Sequence, residues 1–194
     1  MLQATGLSCR RSRRPLFSDL TVSLSEGEVL HVRGANGSGK STLLRILMGL
    51  FTDYEGSVDW ELERAPLYLG HKSAIKLRLT VQENIRWLCE LQDIEVASSD
   101  IDRVLALLGL AGYQETPCAR LSEGQRKRVG LARFFLCLNR CWIMDEPFSA
   151  IDPVGLASLQ QVMEAHLHEG GAIILTSHQQ LPLDGPAKYL DLSS

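Results

Sequence analysis

Apolar residues along this chain switch repeatedly between two spacings. Short continuous runs with strand character cover residues 20–24, 29–33, 67–69, 141–144 and 172–176. The last three lead into charged or polar residues suited to chemistry. Short apolar strands alternating with helical stretches predict a mainly parallel sheet with helices on its faces. Residues 10–15 and the Glu26-Gly27 pair read as turns between early antiparallel strands.

The helical stretches carry their own boundary signals. Residues 41–50 are apolar on several sides, which predicts a buried helix. Thr80 stands three residues ahead of Glu83, a capping-box spacing, and NIRWLCEL follows. Residues 100–108 predict a second amphipathic helix, closed by Gly109. Ser122 and Gln125 repeat the capping-box spacing ahead of RKRVGLARFFLCL, which predicts a third helix reaching about residue 138. These three helices interrupt the alternation. The predicted organisation is one domain over 1–194, with an α/β core at about 1–78 and 139–194 and an inserted helical subdomain at about 79–138. No internal repeat, low-complexity tract or long linker is visible.

Composition narrows the class. A chain of 194 residues, 45% hydrophobic and 22% charged, suits one compact domain that needs neither disulfides nor a structural metal. The five cysteines, Cys9, Cys89, Cys118, Cys137 and Cys141, form no CxxC pair and predict reduced, mostly buried thiols. A net charge of −3 leaves no basic surplus for a nucleic-acid partner. No apolar run approaches the ~20 residues that span a bilayer. The N-terminus, MLQATGLSCRRSRRP, has no apolar stretch behind its charge and does not read as a signal peptide. Any membrane role is therefore expected to come through a partner.

The sharpest local signal is GANGSGKST, which runs through Gly34, Ala35, Asn36, Gly37, Ser38, Gly39, Lys40, Ser41 and Thr42. It matches GxxxxGK[ST], follows a strand pattern and opens a helix, the context that motif requires. Glycines let backbone N–H groups turn inward around phosphates, and the helix N-terminus adds its positive dipole end. Lys40 is expected to reach the β- and γ-phosphates of ATP, and Ser41 to ligate Mg²⁺. A second signal is the apolar run that ends in Asp145-Glu146-Pro147. An acid at a strand end beside a phosphate loop, here Asp145, can hold Mg²⁺ through water, and the next, Glu146, can act as general base.

LSEGQRKRVGLAR, residues 121–133, resembles the signature motif of the ATP-binding-cassette (ABC) ATPases. The phosphate loop, the DEP stretch, SAID at 149–152 and His178 at a strand end complete the ordered set, so the resemblance covers nearly the full chain. It implies a P-loop NTPase of the ABC-ATPase fold, mainly parallel, with an antiparallel β subdomain besides the helical one. It also implies head-to-tail dimers that enclose ATP between one subunit's phosphate loop and the other's signature helix. In that arrangement Leu121, Ser122, Glu123, Gly124 and Gln125 meet ATP in trans. A capped helix start with free N–H groups suits that role. Asp152 is expected at the dimer interface, and His178 at the γ-phosphate, positioning the attacking water.

Three positions depart from the family pattern. Glu123 stands where the signature usually has glycine, and Arg126 and Lys127 are the candidate partners for its charge. His71 stands where a glutamine usually ligates Mg²⁺ and senses the γ-phosphate. Arg11 falls near the place of the aromatic residue that usually stacks on adenine, and a guanidinium plane can stack there instead.

LGHKSAIKLRLTVQENI, residues 69–85, is similar to the ATPases of the cytochrome c maturation system, the haem exporter ATPases. DEPFSAID and TSHQ suit that subfamily as well. The similarity implies two ATPase subunits with two copies of a multi-spanning, CcmB-like permease, at the cytoplasmic face of a bacterial inner membrane. The task would be haem export, or release of a haem-loaded chaperone. Lys72, Lys76 and Arg78 are then expected at the lip that receives the permease. No CxxCH is present, and the His166-x-His168 pair reads as a solvated helix face, so this subunit is not expected to bind haem itself. The competing readings are a transporter ATPase for another cargo, a soluble ABC ATPase, and a nucleotide-binding regulator without turnover. Soluble members of the family usually fuse two cassettes or insert a long coiled coil, and neither is visible. Intact Lys40, Glu146 and His178 speak against loss of turnover.

Overall fold

A computed structural model describes residues 1–11, 14–72, 74–149, 151, 153–178, 183 and 187–192. The strands are β1 (Leu2–Arg11), β2 (Arg14–Leu24), β3 (Val29–Arg33), β4 (Glu55–Trp60), β5 (Leu67–Leu69), β6 (Cys141–Asp145), β7 (Ala172–Thr176) and β8 (Ala187–Asp191). The α-helices are α1 (Lys40–Leu47), α2 (Val81–Glu90), α3 (Ser98–Leu107), α4 (Glu123–Leu131) and α5 (Pro153–His168). The chain divides into two compact units. The first holds Met1–Tyr68, Asn139–Pro147 and Glu164–Ser194, and the second holds Leu69–Leu138 and Phe148–Met163.

The first unit contains two sheets, ordered β2-β1-β4 and β5-β6-β7-β3-β8. In the larger one, β6, β7, β3 and β8 run parallel. Their side chains obey the two-residue period of a pleated strand. Leu30, Val32, Cys141, Ile143, Ala172 and Ile174 share one face and pack in one core with α1 and the antiparallel sheet. Leu43, Leu44, Ile46 and Leu47 of α1 are all buried there, which is why that helix is apolar on more than one side.

The antiparallel sheet is larger than the sequence pattern suggests. The expected turn at 10–15 is shorter, because β1 extends to Arg11 and β2 begins at Arg14, with Arg11 and Arg14 paired in register. Register shifts between Ala4 and Cys9 break the two-residue alternation of β1.

The second unit is built on α2, α3 and α4. Both expected capping boxes are formed, by Thr80 with Glu83 and by Ser122 with Gln125. The third helix is shorter than its sequence suggests. It stays α-helical to Leu131 and then tightens into a 3₁₀ turn over Ala132–Phe135. Ala132, Arg133 and Phe134 are buried there, so packing rather than propensity sets the ending.

Candidate active site

Parallel pairing aligns the C-terminal ends of three strands of the first unit. Val32 of β3 is in register with Thr176 of β7, which is in register with Asp145 of β6. The residues that follow each strand therefore emerge along one edge, the usual place for a ligand on an open α/β sheet. After β3 comes the phosphate loop, after β6 Glu146, and after β7 Ser177 and His178.

The loop has the backbone its glycines were expected to allow. Gly34 has φ 142°, and a Cβ there would lie 2.6 Å from Ser38 Oγ and 2.8 Å from the Leu192 carbonyl. Gly39, at φ 103°, caps α1 and would bring a Cβ within 3.0–3.3 Å of Leu16 and Phe17. Ala35, Asn36 and Gly37 are exposed, while Ser38 and Lys40 are buried. Lys40 Nζ donates to the carbonyls of Gly34 (2.8 Å) and Ala35 (3.2 Å), so its charge is held inside the loop. Ser38 Oγ is buried and has no hydrogen-bond partner among the described residues. An orphaned hydroxyl, a buried ammonium and a bare helix N-terminus make a cradle that fits a polyphosphate. Ser41 and Thr42, half-buried, continue the first turn of α1.

At the end of β6, Asp145 is buried at 3% exposure. Thr176 Oγ1 donates to its Oδ1 at 2.7 Å and accepts the Glu146 N–H at 2.9 Å. Glu146 sits at φ 53°, a conformation disfavoured for any residue with a Cβ. His178 donates its backbone N–H to Glu146 Oε2 at a long 3.4 Å, and its Nε2 lies 3.6 Å from Oε1. Carboxylate and imidazole thus face one another at the sheet edge, as general-base catalysis on a bound water requires. Thr176 was not foreseen as part of this site. The only sequence signal was a hydroxyl ending an apolar run just ahead of Ser177-His178.

A cleft of about 440 Å³ adjoins the loop in the same unit and is lined by residues that include Arg14, Leu16, Phe17, Asp191 and Leu192. Arg11, expected to stack on a base, is exposed at the end of β1, across the hairpin from Arg14.

In the second unit, Ser122 Oγ accepts from Gln125 N at 3.2 Å, and Gln125 Oε1 accepts from Ser122 N at 2.9 Å. Leu121 is buried and Glu123 exposed, and Gly124 begins the first turn behind it. The expected partners of Glu123 are engaged elsewhere. The Arg126 guanidinium donates to the carbonyls of Cys118 and Ala119, each at 2.9 Å, and Lys127 Nζ donates to Ser149 Oγ. Glu123 makes no ion pair among the described residues. It lines a cleft of about 540 Å³ together with His71, Lys72, Leu77, Lys127 and Ser149. His71 is exposed there. Lys76, further along the same segment, is anchored by the buried Asn84, whose side chain accepts from Lys76 N and donates to Lys76 O. The Lys76 ammonium lies 4.8 Å from the Trp87 ring centroid. Asp152 lies outside the described residues.

The histidine pair of α5 divides. His168 is exposed, but His166 is not solvated as expected: its ring stacks on Trp142 at 3.7 Å and 9°. The apolar face of the sheet takes it in, and burial pushes its pKa down to about 4. All five cysteines are buried and unbridged. No helix among the described residues is long and apolar enough to cross a membrane.

A phosphate loop on a parallel sheet, an Asp-Glu pair at the end of β6 along the same sheet edge and a capped signature helix define a class of nucleotide-driven proteins. The ABC transporter family model matches residues 17–149, and the chain belongs to that family. It is an ATP-hydrolysing ABC ATPase. It is 40% identical over 190 residues to the cytochrome c biogenesis ATP-binding export protein CcmA of Saccharophagus degradans, across 90% of this chain and 85% of that one. A CcmA of Salmonella paratyphi A is 43% identical, across 94% of this chain and 91% of that one. Among solved structures, a putative ABC transporter ATP-binding protein of Pyrococcus furiosus superposes with TM-score 0.84 at 21% identity, covering 98% of this chain and 96% of that one. An ATP-binding cassette solved as a dimer after hydrolysis, with ADP and phosphate bound, has TM-score 0.78 at 20% identity, covering 92% and 88%.

Proposed function

We propose that this chain hydrolyses ATP to drive a membrane transporter of cytochrome c biogenesis, exporting haem or releasing a haem-loaded chaperone. The observation that carries the chemistry is Glu146, whose backbone N–H donates to Thr176 Oγ1 at the strand end and whose carboxylate is faced by His178. The pathway is supported by relatives 40–43% identical over nine-tenths or more of the chain, each named a cytochrome c biogenesis ATP-binding export protein.

In this reading the loop amides and Lys40 bind the phosphates, exchanging the carbonyls of Gly34 and Ala35 for phosphate oxygens. Hard oxygen donors suit Mg²⁺, and Ser41 and Asp145 supply them. Asp145 has one carboxylate oxygen engaged by Thr176 Oγ1. The Mg²⁺–ATP substrate brings the phosphoanhydride bond, and Glu146 takes a proton from the attacking water while His178 orients it. Ser122 and its helix start close the site from a partner subunit. The nucleoside is placed beside the loop, in the cleft with Arg14 and Asp191, with Arg11 available to stack on the base. His71 takes the place of the sensing glutamine. Two such subunits work with two copies of a multi-spanning, CcmB-like permease at the cytoplasmic face of a bacterial inner membrane.

Glu146→Gln keeps the shape of the side chain and removes its basicity. The variant should bind ATP with affinity near that of the native chain and lose turnover by at least about 100-fold. In a strain lacking the native gene, the native chain should restore covalent haem on c-type cytochromes and Glu146→Gln should not. Normal cytochrome c haem staining in the deletion strain would remove the pathway, and turnover near the native level in Glu146→Gln would remove the general base.

A further inference from the structure

β3 carries one side chain that apolar packing does not explain. His31 is 2% exposed and stands in a run of buried apolar residues. A buried imidazole needs a partner for each ring nitrogen. Nδ1 lies 3.3 Å from Arg33 Nε, and Nε2 lies 3.1 Å from the Ser177 carbonyl oxygen. A guanidinium N–H only donates and a carbonyl only accepts. The two contacts therefore settle the tautomer: the lone pair is on Nδ1 and the proton on Nε2.

Each end of this link is itself fixed. The Arg33 guanidinium lies 3.6 Å from the centroid of the Tyr189 ring, on the adjacent strand β8. At the other end, the Ser177 carbonyl belongs to the same peptide group as the His178 N–H. A trans peptide is planar, with C=O and N–H pointing in opposite directions. Fixing the oxygen therefore fixes the aim of the N–H, and that N–H points at Glu146 Oε2, 3.4 Å away. Burial, more than any other influence, lowers the His31 pKa, which keeps the ring in the neutral form this link requires.

We propose that His31 is a positioning residue for ATP hydrolysis, pinning the Ser177–His178 peptide so that its N–H faces the Glu146 carboxylate. His31 touches neither substrate nor the reacting water. It acts through the orientation of Glu146 and of the segment that carries His178. The proposal rests on the ATPase reading above, and the two fail separately.

The test uses the full chain with His31→Leu, His31→Gln and His31→Asn. A glutamine amide reaches about as far as Nε2 and restores a donor to Ser177, whereas an asparagine amide stops short of it. Expected in His31→Leu and His31→Asn is a fall in kcat on the order of tenfold to a hundredfold, the scale of an ångström-sized misplacement of a reacting group. KM for ATP should stay within about threefold, because the phosphate loop is untouched. His31→Gln should recover most of kcat. Amide exchange at His178 should quicken in the Leu and Asn variants and return towards the native rate in the Gln variant. A native kcat in His31→Asn, or a Gln variant no better than the Asn variant, overturns the proposal. Absence of turnover in the native chain sinks the ATPase reading, and the exchange measurement then still decides the positioning of the peptide.

Discussion

Glu146 adopts φ 53°, a conformation that costs of the order of 1–3 kcal/mol for a residue with a side chain and persists only where its surroundings insist on it. Thr176 supplies much of that insistence, since one hydroxyl accepts the Glu146 N–H and donates to Asp145. Thr176→Val keeps the shape and removes both bonds. It should lower stability by about 1–3 kcal/mol, the cost of leaving buried polar groups unpaired. It should also cut kcat at least tenfold, because Glu146 is freed to relax. Urea unfolding and steady-state ATPase assays read the two effects, and a stable but fully active variant would count against the assignment. At this scale the sequence revealed residues that are contiguous in a motif, such as Lys40 and the Asp145-Glu146 pair. It did not reveal Thr176 or His31. Thr176 meets Asp145 and Glu146 at the end of β6, and His31 meets Ser177 just beyond β7, and only the register of β3, β7 and β6 brings these groups together. The same limit explains Arg126. Its nearness to Glu123 in sequence suggested a pairing, while the folded chain turns its guanidinium to the carbonyls of Cys118 and Ala119.

Elements whose limits are set by local chemistry were legible in advance. Thr80 with Glu83 and Ser122 with Gln125 cap their helices by bonds within four residues. Elements set by packing were not. β4 is largely exposed and offers no apolar run, and β8 at the sheet edge is likewise only partly covered. The α4 helix tightens beyond Leu131 where Arg133 and Phe134 go into the interior. The α4 start also allows stability and function to be separated. Aspartate caps a helix about as well as serine, so Ser122→Asp should change the unfolding free energy by no more than about 0.5 kcal/mol. It places a carboxylate where the signature is proposed to meet a phosphate of the partner subunit's ATP. Turnover should fall by at least tenfold at unchanged stability, since like charges meet in a desolvated setting. Unimpaired ATPase activity would show that this helix start faces no phosphate.

Over the whole molecule, the buried His31 and the half-buried His166 make stability depend on pH. His166 stacks on Trp142, and burial lowers its pKa from the ordinary 6.5 to about 4. His31 is shifted in the same direction, again mainly by burial. In the unfolded chain both rings regain the ordinary value. Between pH 6.5 and about 4 the unfolded chain therefore takes up protons that the folded chain refuses. Protons bound preferentially by the unfolded state make stability fall as pH falls. Each ring contributes a slope of no more than about 1.4 kcal/mol per pH unit. Below about pH 4 the folded His166 also protonates, and its part of the slope ends. Glu28 adds its loss only at lower pH. Its carboxyl pKa is held below the ordinary 4.5, chiefly by the bond from Lys188, so its stabilising part is complete above 4.5 and disappears as pH drops through the lowered value. His166→Phe keeps an aromatic ring against Trp142 and removes the titrating group. Urea midpoints measured from pH 7 down to 4.5 should decline in the native chain and decline less steeply in His166→Phe. Equal slopes in the two proteins would mean that the His166 ring is protonated as readily in the folded state as in the unfolded one.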